Sequence, residues 1–142
     1  MDIRRLTAEV AVSPQIGVED LEAIKAAGFR TIINNRPDGE EAGQPEAADV
    51  EQAARALGLD FRFMPVISGG VTEGDGDDFA ALLDEVEKPV LAYCRTGTRC
   101  TALWALARSL QKDAPNDILS TALDAGYQLE GLRPVLEKRS AG

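Results

Sequence analysis

The amino-acid sequence predicts a single α/β domain, residues 1–142, built on a small, mostly parallel sheet flanked by helices. Three observations lead there. Short apolar runs alternate with longer stretches whose apolar residues recur at helical spacing. One short run, P-V-L-A-Y at Pro89–Tyr93, is apolar throughout, the pattern of a central strand covered on both faces. At 142 residues the chain is long enough to bury one core without disulfide or metal staples.

The first strand is E-V-A-V-S, Glu9–Ser13, ended by Pro14. Val18, Leu21 and Ile24 share one face of a helix that stops at Gly28. T-I-I-N-N, from Thr31, is the second strand and runs into the polar loop R-P-D-G-E-E-A-G-Q-P. Val50, Ala53, Ala54 and Leu57 mark a helix between Pro45 and Leu59, and F-R-F-M-P-V, Phe61–Val66, is a third strand with partial alternation. S-G-G-V-T-E-G-D-G-D-D then reads as a flexible acidic loop. Phe79, Leu82, Leu83 and Val86 follow at i, i+3, i+4 and i+7, a helical face. After the last strand, helices are expected near 99–111, 115–125 and 128–138, punctuated by Pro115 and Gly126.

Composition narrows the chemistry. A net charge of −9 argues against nucleic acid or an anionic membrane as partner. The opening M-D-I-R-R-L-T-A-E-V lacks the apolar stretch of a secretory signal, and no run approaches transmembrane length. The two cysteines, six positions apart, form no disulfide framework, so a reducing cytoplasm is the expected setting. The sequence contains no histidine, which removes Cys–His and Ser–His dyads and imidazole metal sites. No carboxylates stand at a spacing that would complete a zinc site around two cysteines, and no metal or cofactor is expected. Chemistry here has to run on cysteine, carboxylates, arginine and backbone dipoles.

Cys94 ends the most buried strand, where an α/β sheet places its ligands, and R-T-G-T-R leads from it into a helix. Successive amides of Arg95, Thr96, Gly97, Thr98, Arg99 and Cys100 make an anion cradle at a helix N-terminus, with Gly97 permitting the tight curl. The same dipole and the two arginines favour a thiolate, lowering Cys94 below the ~8.5 of a free thiol. Cys94 is therefore expected to be a nucleophile in an anion-binding loop.

S-P-Q after the first strand, I-N-N-R-P-D-G-E-E after the second, and A-Y-C-R-T-G-T-R-C-T-A-L-W around the loop together resemble the beta-lactamase hydrolase-like, phosphatase-like domain family of bacteria. The resemblance covers nearly the whole chain, and that family is similar in fold to dual-specificity and tyrosine phosphatases. It implies that Cys94 attacks phosphorus while the loop amides and Arg99 hold the phosphoryl oxygens. Two departures stand against it. Those phosphatases place five residues between cysteine and arginine, whereas Arg99 follows Cys94 after four and Cys100 occupies the position of their arginine. C-R-T-G-T-R resembles instead the loop of rhodaneses, which carry one sulfur on the cysteine as a persulfide. Phosphatases also protonate the leaving oxygen with an aspartate from a separate loop. Asp75, Asp77 and Asp78 are the candidates in the acidic loop, Asp75 first, and capping of the next helix is the competing reading for Asp75 and Asp77.

Three functions follow: a cysteine-dependent phosphatase, favoured by the whole-chain resemblance; a rhodanese-like sulfurtransferase, favoured by the loop length; and a non-catalytic anion-binding module. The expected partner is a small anionic substrate or a phosphorylated or persulfidated molecule. Cys100, beside Ala102, Leu103 and Trp104, reads as an inert buried thiol, with a resolving thiol as the alternative. Asn35, Arg36 and Asp38 either line the pocket or hold a turn. Glu40 and Glu41 are expected to be solvated charges, and Tyr93 and Trp104 to be core or pocket wall.

Overall fold

The computed structural model describes residues 1–141. Five strands, β1 (Arg4–Arg5), β2 (Val10–Ser13), β3 (Thr31–Asn34), β4 (Asp60–Phe63) and β5 (Val90–Tyr93), form one sheet in the order β1-β2-β5-β3-β4. Only the short edge pair β1–β2 is antiparallel; β2–β5, β5–β3 and β3–β4 all run parallel. The helices are α1 (Leu21–Ala26), α2 (Ala47–Ala56), α3 (Glu73–Glu85), α4 (Thr98–Leu110), α5 (Pro115–Asp124) and α6 (Arg133–Ala141).

Strand periodicity sorts the core into two layers. Val10, Val12, Ile33, Val90 and Ala92 face one side and pack with residues of α3, α4, α5 and α6, among them Phe79, Leu103, Ile118 and Leu136. Ala11, Ile32, Leu91 and Tyr93 face the other and pack with Leu21, Ile24, Val50 and Ala54 of α1 and α2. The continuous apolar run of β5 is thus a central strand, fully buried along its length. Helix α4 is buried from Arg99 to Ala107, which explains a sequence apolar on nearly every face.

Three expectations are corrected. The third strand ends at Phe63, not Val66. Met64 still donates to the Asn34 carbonyl at 2.9 Å, but Pro65 has no N–H to continue the ladder. The final helix is a 3-10 turn at Glu130–Leu132 followed by α6 from Arg133, several residues later than the expected 128–138. The acidic stretch is a loop only up to Thr72, because α3 begins at Glu73. Thr72 Oγ1 accepts from the Asp75 amide at 3.1 Å, and the Asp75 carboxylate accepts from the Thr72 amide at 2.9 Å. This reciprocal box starts a helix in a glycine-rich segment. Gly76 then serves packing, since a Cβ there would collide with Leu106 of α4.

What this architecture does for a site is to align strand ends. Ser13, Tyr93, Asn34 and Phe63 stand in register across the four parallel strands. The residues that follow them emerge side by side at one edge: Pro14–Gln15, Cys94, Asn35–Arg36 and Met64–Val66.

Candidate active site

Cys94 is fully buried at the carboxyl end of β5. The chain curls back at once: Gly97, at φ +94°, is the N-cap of α4, and no side chain caps that helix. The left-handed conformation favours glycine there. The uncapped end turns its first amide inward, and Gly97 N donates to Cys94 Sγ at 3.1 Å. The thiol is pulled down to about 5, foremost by a hydrogen bond from the Cys100 thiol, then by the backbone amides of Cys100, Gly97 and Thr96, all acting against burial. Cys100, wholly enclosed, moves the other way, since burial and the neighbouring Cys94 hold its proton on. Ionisation is thus favoured at Cys94 and opposed at Cys100.

Two cavities adjoin the loop. One, about 300 Å³, is lined by Arg95, Thr96, Thr98 and Arg99 with Ser68, Gly69, Val71 and Ala102. The other, about 380 Å³, shares Ser68, Arg95 and Arg99 and adds Arg36, Glu40 and Glu41. Arg95 is exposed and lies between them. Thr96 and Thr98 share a hydroxyl–hydroxyl hydrogen bond at 3.0 Å.

Arg99 does not face the cavities with its whole fork. Its Nη1 donates to Glu40 Oε2 at 2.8 Å and to the Val66 carbonyl at 3.0 Å, and its Nη2 donates to Glu40 Oε1 at 2.8 Å. An incoming anion meets what is left of five donors, the Nε–H and one Nη2–H. Arg36, almost completely buried, reaches Glu40 Oε1 at 2.8 Å, Gln15 Oε1 at 3.0 Å and Glu41 Oε1 at 3.1 Å. Glu40 is held down to about 2, first by Arg99 and then by Arg36. Glu40 and Glu41 are both exposed, as expected of solvated charges, but they are not free: Glu40 bridges the buried guanidiniums of Arg99 and Arg36, and Glu41 pairs with Arg36.

The three sequence segments behind the family resemblance meet here. The backbone N–H of Gln15 in S-P-Q donates to the Arg95 carbonyl at 3.2 Å and its side chain accepts from Arg36, while Glu40 of N-N-R-P-D-G-E-E, itself bound by Arg36, holds Arg99 of the loop. The Asn35 side chain donates to the Met64 carbonyl, and Asp38 accepts from the Ala47 amide at the start of α2. Asp75 is not brought to the cavities; its carboxylate sits in the α3 capping box. Asp77 pairs with Arg139 at 2.8 Å, and Asp78 lies on a groove beside Arg62 and Phe63. Among the described residues no group of three His, Cys, Asp or Glu gathers that could hold a metal ion. No helix among them is long and apolar enough to cross a membrane.

The family model of the phosphatase-like domain of beta-lactamase hydrolase-like proteins matches residues 2–111. The chain belongs to that family. This phosphatase-like domain is 36% identical over 138 residues to a beta-lactamase hydrolase-like protein of Agrobacterium fabrum, covering 96% of this chain but only 32% of that relative. The chain therefore spans about a third of that relative's length. A candidate phosphatase from Neisseria meningitidis, known as a crystal structure, superposes with a TM-score of 0.87 at 38% identity, over 98% of this chain and 99% of that one. Kinase associated phosphatase, crystallised with its catalytic-site cysteine replaced by serine, superposes with a TM-score of 0.74 at 15% identity, over 99% and 96%. The fold is tyrosine and dual-specificity phosphatase-like, and at 15% identity the likeness bears on the fold alone.

Proposed function

We propose that this domain is a cysteine-dependent group-transfer enzyme whose Cys94 thiolate carries sulfane sulfur as a persulfide. The observation that carries this reading is a thiol met by the Gly97 amide at 3.1 Å beside two cavities whose only carboxylates are already salt-bridged to arginine. The carboxylates lining the two cavities are Glu40, held ionised near 2 by two arginines, and Glu41, salt-bridged to Arg36. Sulfur transfer needs no acid. The Cys94 thiolate attacks the outer sulfur of a donor such as thiosulfate, the donor S–S bond breaks, and sulfite leaves with the electron pair. An acceptor thiolate then attacks the outer sulfur of the persulfide and returns Cys94 as thiolate. Both leaving groups are stable anions, whereas an alkoxide leaving phosphorus needs a proton. The enclosure of Cys94 and a ring closed by Arg99 after four residues also favour a one-atom cargo over a tetrahedral phosphoryl group.

A second reading, phosphate-ester hydrolysis through a Cys94 phosphocysteine, draws on the 38% identity to a candidate phosphatase along the full chain. It also draws on the Gly97 amide aimed at the sulfur at 3.1 Å. Aryl phosphates, whose leaving groups tolerate the lack of an acid, are its substrates.

One experiment separates the two. After thiosulfate treatment the wild type is expected to gain one sulfur on Cys94 by mass spectrometry and to release sulfite, and Cys94→Ser to do neither. A glycine inserted between Thr98 and Arg99 widens the ring and is expected to abolish the sulfur gain. Aryl phosphate turnover by a wild type that gains no sulfur would replace the sulfur reading with hydrolysis. Neither activity would leave an anion-binding module.

A further inference from the structure

Tyr127 lies beyond the residues matched by the family model and outside every motif around the loop. Its hydroxyl nevertheless donates to the Thr96 carbonyl at 2.9 Å. The N–H of that same peptide unit, on Gly97, donates to Cys94 Sγ at 3.1 Å. A trans peptide is planar, with its C=O and N–H pointing to opposite sides. A donor fixed at the oxygen therefore aims the N–H away from itself, toward the sulfur, and polarises it. We propose that Tyr127 is a positioning residue for the Cys94 nucleophile, acting through the single peptide plane between Thr96 and Gly97.

The surroundings fit that task. A Cβ on Gly97 would strike the Tyr127 hydroxyl, so glycine is required both by the backbone conformation and by the approach of the tyrosine. Tyr127 is buried, and its own amide donates to the Ala122 carbonyl at the end of α5 at 2.9 Å. Arg4 of β1 lies over its ring at 5.2 Å and donates to the Ala125 carbonyl at 2.9 Å. A Cβ on Gly126 would collide with Arg4, so this clamp also depends on a glycine. Burial keeps the phenol protonated and hence a donor. The other ionisable groups at the thiol are Arg99 and Cys100 of α4. At the phenol they are Arg4 and, behind it, Asp2. None of these is removed by taking the oxygen from Tyr127.

The inference rests on the reading of Cys94 as an ionised nucleophile, and not on which group it transfers. Its test is the rate of iodoacetamide alkylation of Cys94, followed by mass spectrometry from pH 4 to 9 in the full chain. Tyr127→Phe keeps the ring and its contact with Arg4 and is expected to raise the alkylation midpoint by about half a pH unit. Incorporating 3-fluorotyrosine at 127, a stronger donor of the same shape, is expected to lower it. That variant also serves if the phenylalanine protein does not fold. Opposite shifts support the relay, because loosened packing alone would move both variants the same way. A midpoint unchanged by either replacement overturns the relay while leaving the thiolate reading intact. A wild-type Cys94 that titrates like a free thiol, near ~8.5, overturns both.

Discussion

Two helices of this molecule start in opposite ways. Helix α3 begins with Thr72 and Asp75 satisfying each other's amides. Helix α4 begins at Gly97 with no side-chain cap, and the partner of that first amide is the sulfur of Cys94. Both segments are short, glycine-containing and polar, and both presented a nucleophile or acid candidate from sequence. A side chain that completes a cap, here Asp75, is held as a structural acceptor, whereas Cys94, with no cap beside it, takes the free amide of the helix start itself.

The largest effect is expected at Cys94. Its folded-state value, about 5, lies below that of a free thiol, so the thiolate adds stability that is complete above ~8.5. That stability is lost as pH falls toward 5. The stability difference between wild type and Cys94→Ser should therefore grow with pH across that window, with a slope approaching ~1.4 kcal/mol per pH unit. Urea unfolding at several pH values measures it. A flat difference would mean that neither the Cys100 thiol nor the open start of α4 favours the charge on the sulfur.

Next comes the ion network beside the loop. Glu40→Gln leaves Arg99 and Arg36 facing each other with one carboxylate fewer, at a cost of roughly 2 kcal/mol, the scale of losing charged hydrogen bonds at a partly exposed carboxylate. The group-transfer rate should fall as well, because Arg99 is no longer held. Thermal unfolding together with the single-turnover rate of sulfur loading on Cys94 checks both. An unchanged melting temperature would return Glu40 to the solvated role first expected for it.

The smallest effect is expected at the capped start. Asp75→Asn should cost about 1 kcal/mol of stability through the weakened box. It should leave the Cys94 alkylation rate and the transfer rate within about twofold of wild type, on the scale of a surface change. A large loss of activity with little loss of stability would make Asp75 a participant in the chemistry and erase the contrast between the two helices.

Much of this was legible in the residues. The alternation of strand and helix, the fully buried β5, Cys94 at its carboxyl end and the left-handed Gly97 all follow from local patterns of period two, period 3.6 and turn chemistry. The capping box was legible too, as T-E-G-D with threonine and aspartate three apart. A sequence reading leaves that aspartate torn between cap and acid, because either role uses the same residue at the same place. Glu40 offered no local signal. E-E after P-D-G has the composition of a solvated turn, and the bond of Glu40 to Arg99 joins strand ends that meet only when β3 and β5 pair.

Sequence alone determined the elements and the chemistry available at the thiol, since helix and strand periods, glycine conformations and the lack of histidine are properties of neighbouring residues. Tertiary structure decided which charges and donors meet. Arg99 is clamped by Glu40, Arg36 is buried against Gln15, and Tyr127 reaches the Thr96 carbonyl across the fold. Such contacts depend on register and approach to within a few tenths of an ångström, and hydrogen bonds and ion pairs lose their strength over distances that no linear spacing encodes.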